Sequence, residues 1–217
     1  MFNKIFCIGF NKTGTSSMHQ LFLELGLRSY HGYYSHFPVM DPIYGQFQCF
    51  SDGDQHPFEL LDRTYPGSRF IVTTRPLDDW LVSRIRHIEE RRRIGATGPM
   101  RMEYDADPEA AVRKWVRCRL DYHQRVVTYF AQRPGDLLVI NICDGADSVE
   151  AVQTITRFLG LKIAPGHALP HENAREPGSR VSDASPAVRS KTEVRAEVGK
   201  ILSDIGLMPE QQAAIFP

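Results

Sequence analysis

The chain has 217 residues, 42% of them hydrophobic and 24% charged, which is ordinary for a soluble globular protein with room for a sizeable core. Lysine plus arginine and aspartate plus glutamate balance at 26 each, so no global field argues for nucleic acid or a membrane surface. Any anion binding has to come from placed residues. No run approaches the length of a membrane span and no basic-then-apolar leader opens the chain, which predicts a cytoplasmic protein. A single domain over 1–217 is expected, with a core over 3–160 and a C-terminal loop and helices over 161–217. The scattered cysteines (Cys7, Cys49, Cys118, Cys143) lack Cys-x-x-Cys spacing and predict buried reduced thiols.

The apolar run Ile5–Ile8 predicts a first strand that breaks at Gly9. The polar loop Asn11–Ser17 follows, and Met18, Leu21, Phe22 and Leu25 then recur at helical spacing until Gly26 stops them. Strand, small-residue loop and helix N-terminus form a geometry that binds phosphate-like anions through free backbone N–H groups and the helix dipole. Lys12 adds a full charge, Thr15, Ser16 and Ser17 add hydroxyls able to cap the helix, and Gly14 is expected to leave space for a ligand. A plain tight turn with a solvated lysine is the competing interpretation. The loop is not a Walker A motif, because Thr15 stands where that motif needs lysine.

Leu27–Tyr44 is rich in aromatics and histidine without a clean period, as a packed irregular connection or a pocket lining would be. Gln46–Phe50 predicts a strand ending in Ser51-Asp52-Gly53-Asp54, and Pro57 opens a helix closed by Pro66-Gly67. The β-branched run Arg69–Thr74 suits a strand buried on both faces, with Arg75 at its end. Leu77, Leu81, Ile85 and Ile88 form the stripe of the next helix, flanked by Trp80, Ser83 and His87, and Glu89–Arg93 makes its charged tail. Residues 94–106 are expected to be a loop. Asp107-Pro108-Glu109 caps a long helix to about Arg133 that includes His123 as a core histidine. Asp136–Cys143 predicts the last strand, and a helix with Val149, Val152, Ile155 and Leu159 stops at Gly160. Gly160–Pro186 predicts a long loop, functional or mobile, holding Pro170-His171-Glu172-Asn173-Ala174-Arg175 and Arg180, before a helix from about Ser190 to Ile205. The alternation predicts an α/β three-layer fold with a mostly parallel central sheet, its C-terminal edge collecting Asn11–Ser17, Ser51–Asp54, Arg75 and Asp144-Gly145.

Gly9-Phe10-Asn11-Lys12-Thr13-Gly14-Thr15-Ser16-Ser17 resembles the 5′-phosphosulfate loop of sulfotransferases that use 3′-phosphoadenosine 5′-phosphosulfate (PAPS). Phe70–Ser83, an arginine after a strand with a serine eight residues on, resembles the same family's 3′-phosphate segment. The resemblance covers roughly residues 3–160. It implies that Lys12 contacts the bridging and sulfate oxygens, that Gly14, Thr15, Ser16 and Ser17 hold the 5′-phosphate, that Asn11 and Thr13 belong to the same cofactor-binding loop, and that Arg75 and Ser83 hold the 3′-phosphate. Seven helical residues climb about 10 Å, so the pairing of Ser83 with Arg75 comes from the family and not from spacing. The family places a His or Glu after the second strand as the base. Here that place implies Asp52, with Asp54 and His56 as alternatives. No metal is expected. The C-terminal Arg-Lys-Gly piece of the well-known cytosolic members has no counterpart, Arg175 or Arg180 being the nearest substitutes. The implied reaction moves a sulfuryl group to a hydroxyl or amine of a small-molecule or glycan acceptor, releasing 3′-phosphoadenosine 5′-phosphate (PAP). Two further readings stand beside it: a magnesium-dependent P-loop kinase or NTPase, with Asp144 ending a Walker B-like strand, and a non-catalytic PAP- or anion-binding module.

Overall fold

The computed structural model describes residues 3–143, 147–170 and 188–204. Among them, Ile5–Cys7 (β1), Ser29–His31 (β2), Cys49–Ser51 (β3), Arg69–Thr74 (β4) and Leu137–Asn141 (β5) form one sheet. The order is β2-β3-β1-β4-β5 and every pairing is parallel. The expected α/β fold is therefore present. From β1 the chain moves to one side of the sheet and returns through β3, then crosses to the other side at β4. The carboxyl end of β1 thus lies at a topological switch point, where open α/β sheets leave a crevice for ligands.

The chain divides into two compact units, Met1–Arg75 with Tyr122–Ala174, and Pro76–Asp121 with Arg175–Pro217. In the first, β1 is buried on both faces and its alternating side chains separate two clusters. Phe6 lies in register with Phe50 and Phe70, ring centroids 5.4 and 5.5 Å away, and with Tyr34, Tyr44 and Tyr65 builds an aromatic layer. Ile5 and Cys7 face the opposite cluster, which gathers Met18, Leu21 and Phe22 of Thr15–Glu24 (α1) with Val152 and Ile155 of Ser148–Leu159 (α7). Burial raises the Cys7 thiol well above its ordinary value and pushes that of Cys49 up to about 12, so both are inert apolar fillers.

Several boundaries differ from expectation. The segment after α1 contains β2, which a three-residue strand is too short to announce by period. Ile43–Gln46 (α2) is a helical turn, so β3 starts later than Gln46. Residues 94–106 contain the helix Pro99–Ala106 (α5), opened by proline in its first turn. Asp136 belongs to a 3₁₀ turn and pairs with Arg69, leaving β5 to begin at Leu137. The helices Phe58–Thr64 (α3), Leu77–Arg93 (α4), Pro108–Phe130 (α6) and Lys191–Asp204 (α8) lie close to where the pattern puts them. Asp107 caps α6 through the Ala110 N–H at 3.0 Å.

In the second unit, α4 buries Leu77, Leu81, Ile85 and Ile88, as its stripe requires. Trp80 meets two cations, with the guanidinium of Arg84 5.1 Å and that of Arg119 4.7 Å from its ring centroid. Arg189 joins α8 to α4 by donating to the buried Glu89 at 2.5 Å, and also pairs with Glu197. Arg195 pairs with Asp78 and Asp79.

Gly9 follows β1 where a Cβ would lie 2.5 Å from both the carbonyl and the hydroxyl oxygen of Thr73. Gly9→Ala must push the strands apart. It is expected to cost about 1–3 kcal/mol, read as a lower urea midpoint at unchanged slope.

Candidate functional site

The loop between β1 and α1 is shaped by contacts to β4 and to the segment after β3, all within the first unit. Thr13 Oγ1 donates to the Phe10 carbonyl at 2.5 Å and lies 2.7 Å from Thr73 Oγ1. Lys12 takes a left-handed conformation (φ 66°), uncommon for a side chain of that kind. Gly14 follows at φ 89° and is the N-cap of α1. No side chain caps this helix, which corrects the expectation for Thr15, Ser16 and Ser17. The first helical bond is Met18 N–H to Gly14 O at 3.1 Å, so the N–H groups of Thr15, Ser16 and Ser17 precede the helical ladder. Gly14 also serves a different end from the one expected. A Cβ there would lie 2.7 Å from Ile142, so the glycine permits packing below the loop rather than clearing space above it.

Arg75, at the end of β4, donates from Nη1 to the Lys12 carbonyl at 3.3 Å. Loop lysine and strand-end arginine therefore belong to one neighbourhood, as the sequence predicts. Asn11 is held on the other side, its N–H donating to Asp54 Oδ1 at 2.9 Å and its amide to the Tyr33 hydroxyl at 3.4 Å. Thr15 Oγ1 donates to Asp52 Oδ1 at 3.4 Å. Two carboxylates thus face a loop that carries Lys12 and is touched by Arg75. Ser83 sits half-buried on α4 in the second unit. Asp144-Gly145, His171 to Arg175 and Arg180 lie outside the described residues.

The three alternatives for a base separate by environment. Asp54 is committed to the Asn11 backbone. His56 is fully buried, its ring stacked on Tyr34 at 4.3 Å with planes 10° apart, and neither ring nitrogen has a hydrogen-bond partner. Burial, with a smaller push from His36, takes its pKa down to about 3. It is a neutral packing element, out of reach of an acceptor. Asp52 is only partly buried and occupies φ 83°, with Gly53 at 116° and Gln55 at 50° beyond it. Backbone strain of this sort is retained where surrounding structure demands it, commonly at functional sites.

Sequence reasoning missed Thr73, which anchors Thr13, and His31, which lies 3.2 Å from Ser16 Oγ through Nε2. The β-branched pattern of β4 says only that Thr73 is buried, and β2 is too short for a period. Among the described residues no group of three or more His, Cys, Asp or Glu is arranged to hold a metal, and no helix is long and apolar enough to cross a membrane.

No protein-family description and no curated protein matches the sequence. The fold is similar to that of a sulfotransferase from Alicyclobacillus acidocaldarius in its crystal structure, with a TM-score of 0.57 and 18% identity, over 99% of this chain and 96% of that one. At that identity the likeness establishes the fold.

The unfolded chain protonates His56 near 6.5, whereas the fold keeps it neutral down to about 3. Between those values the unfolded state binds the extra proton. The stability of the neutral buried ring is therefore full above 6.5 and is lost as pH falls toward 3. His56→Phe, which keeps the stack on Tyr34, is expected to gain on the wild type by up to about 1.4 kcal/mol per pH unit in that window. Urea unfolding followed by circular dichroism at a series of acid pH values measures the difference.

Proposed function

We propose that the chain is a PAPS-dependent sulfotransferase, moving a sulfuryl group to a hydroxyl or amine of a small-molecule or glycan acceptor. The observation that carries this reading is the placement of Lys12 inside the loop ahead of α1, with its backbone gripped by Arg75. A cation is thereby held within the turn, where a 5′-phosphosulfate would meet it, rather than at the helix start, where a γ-phosphate site needs it. The similarity of fold to a sulfotransferase supports the same class.

In this reading the N–H groups and hydroxyls of Gly14, Thr15, Ser16 and Ser17 hold the 5′-phosphate, with Asn11 and Thr13 shaping the loop. Arg75 takes the 3′-phosphate with its fork of donors. Asp52 accepts the proton of the acceptor as the acceptor oxygen or nitrogen bonds to sulfur. The bond between sulfur and the phosphate oxygen breaks, and Lys12 neutralises the charge left on that oxygen, so PAP departs. Tyr33, 45% exposed and beside Asn11, offers an acceptor an aromatic surface next to the loop. No resident metal takes part in this scheme.

One contact favours a second reading. A threonine hydroxyl beside a strand-end carboxylate, as in Thr15 and Asp52, is also what a magnesium–nucleotide site uses. Calorimetric titration separates the two. PAP is expected to bind in the presence of EDTA, whereas ATP binding that requires magnesium, without PAP binding, refutes the sulfotransferase reading. With labelled PAPS and an acceptor panel, Asp52→Ala is expected to abolish transfer while PAP affinity stays nearly intact. Near-normal turnover in that variant removes Asp52 from the role. Lys12→Ala is expected to slow transfer by about 10²–10³-fold, the usual scale for losing one stabiliser of developing charge. PAP binding without transfer to any acceptor would leave a binding module.

A further inference from the structure

Ser16 is tied to a histidine that the scheme above does not use. Its Oγ lies 3.2 Å from Nε2 of His31, and Nδ1 of the same ring lies 3.1 Å from Ser51 Oγ. The partners come from three elements: Ser16 from the first turn of α1, His31 from the last position of β2, and Ser51 from the last position of β3. Sheet register sets His31 opposite Ser51. His19, three residues beyond Ser16 on α1, stacks on the His31 ring with centroids 5.2 Å apart and planes at 21°. Its own Nδ1 is fixed 2.8 Å from Ser29 Oγ. The His31 imidazole is thus held in place and orientation with both nitrogens engaged.

The hydrogens give this arrangement its consequence. Ser51 Oγ also lies 3.5 Å from the Tyr30 carbonyl, and it serves both neighbours when it donates there and accepts from Nδ1–H. A neutral ring in that tautomer offers only a lone pair at Nε2, which takes the hydrogen of Ser16. An anion cradled by the loop asks for that same hydrogen. Once Ser16 turns its O–H to a phosphate oxygen, its own lone pairs face the lone pair of Nε2. A proton on Nε2 removes the conflict, since the imidazolium donates at both ends and its charge lies one hydroxyl away from the anion.

We propose that His31 is a positioning residue of the anion loop, which takes up a proton when a phosphate oxygen accepts the hydrogen bond of Ser16. The proposal rests on the loop's being an anion site, and holds for any phosphate or sulfate oxygen placed there. The ionisable group against the ring is His19 from α1, and the nearest charges along the partner segments are Lys12, four residues before Ser16, and Asp52, directly after Ser51. His19 is the other imidazole in contact, and so it is the necessary control.

The test uses the full-length chain and two probes, PAP and inorganic sulfate, the latter having no titrating proton of its own near neutrality. Calorimetry near pH 7.5 in buffers of different ionisation enthalpy is expected to show net proton uptake. Affinity for PAP is expected to fall with rising pH, by at most about tenfold per unit for one coupled proton, above the second phosphate ionisation near 6. Nitrogen NMR of the ring is expected to show Nε2 changing from lone pair to N–H on addition of either probe. His31→Gln, which hydrogen-bonds but cannot charge, is expected to bind without uptake and with a flat pH profile, and His19→Gln to keep both. If His31→Gln does not fold, Ser16→Ala is expected to abolish the Nε2 change while His31 remains. Binding of PAP to the wild type without uptake, or uptake that vanishes only with His19, overturns the proposal. Sulfate binding with Nε2 protonation but no PAP binding supports it and refutes the sulfotransferase reading instead. Failure of both probes to bind refutes both.

Discussion

The backbone after β1 runs so close to β4 that no side chain fits between them at position 9, where a Cβ would sit 2.5 Å from Thr73 oxygens. Much of the site follows from that approach. Thr73 is near enough to meet Thr13, and Thr13 folds back onto the Phe10 carbonyl, so the loop is tied to the sheet by one hydroxyl pair. With the turn pinned, Lys12 and Gly14 adopt positive φ, and α1 starts with no side chain over its first N–H groups. An uncapped helix start is a cost unless something else meets those donors. A bound anion would do so.

Charge around the loop is balanced rather than uniform. Lys12 and Arg75 supply the cations, and Asp52 and Asp54 supply carboxylates directed at Thr15 and at the Asn11 backbone. Asp54 is a structural strut, because a charged acceptor on a backbone N–H fixes the entry of the loop. Asp52 differs in standing on a strained backbone, partly exposed, at the end of the strand beside β1. His56 behind it shows how the same segment can bury an ionisable ring without a counter-charge: stacked on Tyr34 and kept neutral by burial, it fills volume at the cost of two ring nitrogens without hydrogen-bond partners.

The likeness to a sulfotransferase structure spans nearly the whole of both chains, yet fold and function are separate matters. Similar sheets host many reactions, and the site distinguishes them. In the reading proposed above, the lysine within the turn and the arginine that grips it are the features set against magnesium-dependent phosphoryl transfer, whereas the Thr15–Asp52 contact suits either.

The sequence by itself determined the α/β class, the loop with its misplaced lysine, Arg75 at the end of β4 and most helices, because these depend on local period, caps and punctuation that survive in any tertiary setting. It was silent or misleading where the cause lies far along the chain. That Gly14 makes room for Ile142 is settled by residues 128 positions apart, and that Thr73 anchors Thr13 by residues 60 apart. Asp52 is preferred to Asp54 and His56 in the sequence only by its place at the strand end, whereas burial and hydrogen bonding separate the three. His31 appears in an aromatic stretch without rhythm, and it meets Ser16 only because β2 pairs with β3 at the edge of the sheet. A propensity belongs to a short segment, whereas proximity belongs to the folded chain, and the chemistry of this loop depends on proximity.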